Sequence, residues 1–202
     1  MGAGRGRQRG ASLSTSTLLQ CAVIGAASAI MIVALGPLLL ATALASPVVY
    51  SLLGSFHIVG PLIAGRWLRR PGVILVTAFV ASLLAVPFTP LGLLAIPALC
   101  IPAASAELVL ALGRFWRSGS PLVWFGAVAT GGVAIFAISL VVIDPRVLSG
   151  VVVVLTLAGR VLGYLVLGAV AILAERALAR AGVQRLRPIP QPTRQHKTDG
   201  AG

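Results

Sequence analysis

Acidic residues are almost absent: Asp and Glu number 4, against 16 Lys and Arg. Charged residues of both signs make up only 10% of the chain. Three of the acids, Glu107, Asp144 and Glu175, fall near apolar runs, each in a different segment. A small lipid-modifying membrane enzyme would need acids, histidines or serines clustered at the interface, so that class is weakly supported. Cysteine is scarce too. Cys21 and Cys100 both lie inside apolar stretches, where small buried thiols act as hydrophobes rather than as a disulfide or a metal site. No CxxC, HExxH, P-loop or Ser/His/Asp arrangement is present. The chain therefore lacks the parts of an ATPase and calls for no metal or other cofactor. Aromatics are few at 5%, and the first half offers mainly Tyr50, Phe56, Trp67 and Phe88. Strand-period alternation is missing, which argues against a transmembrane barrel.

What remains is apolar. Hydrophobic residues reach 58% and mean hydropathy is +1.02, more than a soluble domain of this size can hide. The pattern predicts an all-α membrane protein with six transmembrane helices. The net charge of +12 is no sign of nucleic-acid binding, because the basic residues flank apolar runs and no soluble domain is left to carry that role.

Residues 1–16 are rich in Gly, Ser and Arg and read as a disordered basic arm. Ala43-Leu44-Ala45 resembles a signal-peptide cleavage site, but the apolar stretch before it exceeds the usual h-region, which favours an uncleaved first span. Span one runs over Thr17–Leu35, ending at Gly36-Pro37. It carries small residues four apart, Ala22 with Ala26 and Gly25 with Ala29, which let another helix approach closely. Residues 37–46 read as an apolar cap or re-entrant piece. Span two is Pro47–Leu68 and contains His57, which either meets a ligand or bonds a neighbouring helix. Span three, Val73–Val86, is short for a bilayer, and Pro87-Phe88-Thr89-Pro90 is a rigid outer turn. Span four is Leu91–Leu112, bent at Pro97 and Pro102. Span five is Pro121–Ile143, followed by an outer turn at Asp144-Pro145-Arg146. Span six, Val147–Ala174, continues through Glu175, Arg176 and Arg180 into water and stops at Gly182. The domain is thus 17–182, and 183–202 form a second disordered basic tail.

Six spans put both termini on one side. That side receives every Arg and Lys outside the spans except Arg146, so both termini are expected in the cytoplasm of a plasma-membrane protein. Two charges lie within the membrane, Glu107 and Arg160. Such groups cost several kcal/mol, roughly 2.5–3.5 on insertion scales, and mark functional sites by default. A Glu107–Arg160 pair is feasible only if span six sits deep. Packing, a polar substrate cavity and proton coupling all remain open as roles.

Certain residues resemble the substrate-binding S components of energy-coupling factor (ECF) transporters, specifically the YkoE-like group tied to thiamine and hydroxymethylpyrimidine. They are Arg69-Arg70-Pro71-Gly72 opening span three, Val86-Pro87-Phe88-Thr89-Pro90, Ala106-Glu107-Leu108 with the Arg114–Arg117 loop, and Arg176-Ala177-Leu178-Ala179-Arg180-Ala181-Gly182. Their order and spacing over about residues 17–185 carry the likeness. Where that group often has a carboxylate early in span three, this chain has Thr77-Ala78. The resemblance implies a subunit that captures a vitamin-like molecule near its outer side. A transmembrane T component and two cytoplasmic ATPases would supply the energy. It places ligand contacts at Tyr50, His57, Phe88 and Thr89, with Glu107 as a polar anchor at the cavity floor and Arg160 beside it. It also puts Ala22 and Ala26, with Gly25 and Ala29, against the T component. A membrane scaffold or assembly protein is the alternative that the Gly- and Ala-rich helices would equally serve.

Overall fold

A computed structural model of the chain describes residues 13–89, 92–142 and 149–182. Within them every regular element is helical, and five helices are long and apolar enough to cross a membrane. A sixth apolar segment, Val73–Phe88, is shorter. The arm before Leu13, the tail after Gly182, Pro90 and the turn at Asp144-Pro145-Arg146 lie outside the described residues.

Helix α1 spans Thr15–Ala45, 31 residues with Pro37 inside. Ser14 starts it as an N-cap, its hydroxyl accepting from the Thr17 amide. The helix therefore begins within the stretch read as an arm. It also does not end at Gly36-Pro37, and no separate cap follows. Proline removes one ladder bond, but in an apolar surrounding a chain that left the helix would expose several more backbone groups.

The second span is broken rather than continuous. Helix α2 (Pro47–Leu53) passes through a 3₁₀ segment, Gly54–Ile58, into α3 (Val59–Leu68). Arg69 ends α3 in the left-handed region at φ 48°, and Gly72 opens α4 (Val73–Ala85) at φ 86°. A side chain at Gly72 would be strained in that conformation. Helix α5 (Ala95–Leu112) carries Pro102, a single turn α6 (Phe115–Ser118) follows, and α7 (Pro121–Val142) and α8 (Gly150–Arg180) complete the bundle. As expected, α8 runs on past Glu175 and Arg176, and Gly182 turns the chain at φ 73°.

The helices pack in a ring: α1 against α4, α4 against α5, α5 against α7, α7 against α8, and α8 against α2 and α3, which return to α1. The short α4 is tolerable because one face is fully covered: Ile74, Ala78, Ala81 and Ala85 are buried. Its other face shows Phe79, Leu83 and Leu84, as a lipid-facing surface requires. The small residues of α1 divide in two. Gly25 lies under Val80 and the Thr77 carbonyl, and Ala29 is buried. That pair packs inside this chain, which corrects its placement toward a partner. Ala22 and Ala26 remain half-buried.

A cavity at one end of the bundle and a charge cluster at the other

The end of the bundle where α3 stops and α4 starts holds most of the described charges. Glu175 on α8 is buried. Its Oε2 lies 2.7 Å from Arg66 Nε and its Oε1 3.3 Å from Arg69 Nη2. The Arg66 guanidinium lies over the rings of Phe115 and Trp124, 5.4 Å from each centroid. Trp124 donates its indole N–H to the Gly168 carbonyl at 3.1 Å. Two readings are corrected here. Glu175 does not run out into water, and Arg66 is not a solvated flank: the carboxylate and the two aromatic faces together offset the cost of burying its charge.

Glu107 also belongs to this end. Its carboxylate accepts from the amides of Gly72 at 2.6 Å, Ile74 at 2.7 Å and Leu75 at 3.3 Å. Those are the orphan N–H groups at the start of α4, where the helix dipole also favours negative charge. Glu107 is thus a cap supplied from another helix. It does not pair with Arg160 and does not line the cavity described next. The reason is register: α8 begins at Gly150, so Arg160 lies only about 15 Å along it, in the opposite half of the bundle from the Glu107 end.

The opposite end holds a partly open cavity of about 150 Å³. It forms where the last turns of α1, α4 and α7 meet the first turns of α2 and α5 and the first third of α8. Leu39, Ala85, Ala95, Ala98, Leu99 and Ile138 make its apolar wall. Three small side chains in this wall, Ala85, Ala95 and Ala98, leave the space open.

Tyr50, His57, Thr89 and Arg160, all singled out from the sequence, line this cavity together. Phe88 does not; it is 70% exposed, pointing away from the bundle. Ser139 and Gly54 line it as well and were not anticipated. The trace each left was faint: Ser139 is a hydroxyl in a span without ionisable groups, and Gly54 is one glycine among many.

His57 is already satisfied. Its Nδ1 donates to the Gly54 carbonyl and its Nε2 accepts from the Tyr164 hydroxyl at 3.2 Å. With one ring nitrogen donating and the other accepting, the imidazole is neutral by assignment from its partners. It therefore shows the cavity ring edge rather than a free nitrogen, and these contacts support the bond to a neighbouring helix among the two roles expected of it.

Arg160 is different. It is 3% exposed. Its guanidinium stacks over the Tyr50 ring at 5.1 Å, and Nη2 reaches the Ser139 hydroxyl at a long 3.5 Å. Its Nε has no hydrogen-bond partner, and neither has the buried Thr89 hydroxyl across the same cavity. No carboxylate among the described residues pairs with it. Gly54 makes room for it: a Cβ there would meet Nη1 at 2.6 Å. No group of His, Cys, Asp and Glu among the described residues has the arrangement to hold a metal ion.

No protein-family model matches the chain, and no curated protein matches it in sequence. A solved structure does match it in shape. It is described as the crystal structure of an S-component of an ECF transporter, 24% identical, with 85% of this chain and 88% of that one covered and a TM-score of 0.75. The chain has the fold of an ECF-transporter S component.

Proposed function

We propose that this protein is the membrane-embedded substrate-binding subunit of an ECF-type importer. The observation that carries this reading is a small cavity with polar groups at one end of a bundle with the S-component fold. Enclosed clefts with apolar walls and few polar groups are the usual form of a small-molecule site. Uptake would be energised by a T component and two cytoplasmic ATPases, with Ala22 and Ala26 of α1 on the face toward the T component. In this reading the protein is not an enzyme.

The charge bias supports a direction. Arg66, Arg69, Arg114 and Arg176 gather at the end opposite the cavity, which favours that end as the cytoplasmic one and an outward-facing cavity. Reporter fusions after Arg70 and after Pro90 are expected to report cytoplasm and exterior respectively. An exterior signal after Arg70 would overturn the orientation.

The ligand is a vitamin or vitamin precursor that places about one ring in the cavity, since a space of about 150 Å³ takes up a molecule the size of benzene. Of the two molecules tied to the YkoE-like resemblance, hydroxymethylpyrimidine matches that size. Thiamine adds a second ring with a fixed positive charge, and the described lining offers it an arginine rather than a carboxylate. The test is a binding screen of the purified chain in lipid nanodiscs against vitamins and their precursors. Single-ring compounds are expected to bind, and Ala98→Trp, which fills the cavity, to abolish binding while leaving the fold intact. Binding to no compound would favour the scaffold alternative, and binding unaffected by Ala98→Trp would move the site elsewhere.

A further inference from the structure

Resting on the cavity as the ligand site, we infer that its ligand is an anion, a single ring bearing a carboxylate or phosphate group that docks on Arg160. The inference comes from an imbalance. An arginine remains protonated at any physiological pH, and here it is 3% exposed and without a carboxylate among the described residues. A buried charge persists when paired and hydrogen-bonded. The other buried arginine, Arg66, also has nitrogens without a hydrogen-bond partner, but it has a counter-charge, with Glu175 at 2.7 Å, and two aromatic faces. Arg160 receives only the partial compensation of the Tyr50 face and one long bond to Ser139. Its Nε is unpartnered and buried, and the residue lines a space beside it of ligand size.

The remaining polar atoms suit the same occupant. Ser139 already donates to the Ile135 carbonyl at 2.8 Å and so faces Arg160 as an acceptor. The Thr89 hydroxyl, unpartnered, supplies a second donor toward an oxyanion. His57 is held neutral between Gly54 and Tyr164, so it adds no second charge. The wall is apolar apart from these groups, which leaves the ring to Leu99, Ala98 and Ile138 and the anionic group to Arg160. A guanidinium fork matches both carboxylate and phosphate geometry.

The test compares matched probes on the full chain in nanodiscs, by calorimetry and by thermal shift. Benzoate is set against benzamide, and hydroxymethylpyrimidine monophosphate against hydroxymethylpyrimidine. In at least one pair the anion is expected to bind about tenfold or more tightly than its neutral partner, as a charge-assisted bond should. Which pair shows the larger preference tells carboxylate from phosphate. Arg160→Gln is expected to erase the preference while the neutral probe still binds, and Arg160→Lys to keep part of it. Should Arg160→Gln fail to fold, Arg160→Met, which keeps an apolar stem without the charge, decides: a lost preference supports the inference and an unchanged one overturns it. If the neutral members bind as tightly as the anions and Ala98→Trp abolishes both, the cavity reading stands and the anion inference falls. If no probe binds, both fall.

Discussion

Replacing Glu175 by glutamine is expected to lower stability by about 3 kcal/mol or more, because breaking a buried ion pair leaves its other charge stranded. The stranded group is Arg66, 8% exposed, whose Nε lies 2.7 Å from the carboxylate. The Phe115 and Trp124 faces at 5.4 Å soften the loss but do not replace a counter-ion, since a cation over a ring contributes about 0.5–2 kcal/mol. Arg69 loses a partner at 3.3 Å, yet its side chain is 38% exposed and can turn to water, so little of the effect is its own. Thermal unfolding of the purified protein in detergent would measure the change. The double substitution Arg66→Met with Glu175→Leu should recover much of it, as apolar replacement of a whole buried pair often does. A change below about 0.5 kcal/mol for Glu175→Gln, the size of an ordinary surface substitution, would show that the cluster contributes nothing. Ligand affinity should not move, since the cavity lies at the other end of the bundle.

Glu107→Gln is expected to cost about 2 kcal/mol, with ligand affinity unchanged within about threefold. An amide keeps one acceptor, but not the two charged oxygens that serve the amides of Gly72, Ile74 and Leu75. The loss falls on the first turn of α4, so amide exchange at residues 74–76 should quicken more than elsewhere. Thermal unfolding and ligand titration on the same sample separate the two roles. A hundredfold loss of affinity with normal stability would return Glu107 to the cavity.

Glu107 also shows why the site was only partly legible. An acid inside an apolar run announces that something compensates it, and that inference was sound. The partners are backbone amides more than thirty residues earlier, brought near by the packing of α4 on α5, and no side-chain pattern records them. Arg160 sent the same announcement. There the structure brings it beside Tyr50, His57 and Thr89 as the sequence suggested, while its imagined partner sits elsewhere. The spans themselves were readable because lipid forces each apolar run to satisfy its own backbone. Their ends were less so. Pro37 reads as a stop, yet α1 passes through it, because proline's cost is judged against the solvent around it. Phe115, in the Arg114–Arg117 loop, and Trp124, in span five, are 1% and 0% exposed around Arg66, a contact that no pattern along the chain announces.

The brevity of α4 has a mechanical meaning. Its 13 residues with the 3₁₀ turn Val86–Phe88 that follows reach about 25 Å, against a hydrocarbon thickness of about 30 Å. A bilayer beside so short a segment thins locally, or flanking residues and longer neighbours take up the difference. Glu107 anchors the first turn, so the end left to adjust is the one that carries Ala85 and Thr89 into the cavity wall. In the proposed orientation that end faces outward, and a thinner bilayer there would shorten the path over which an arriving solute sheds its hydration.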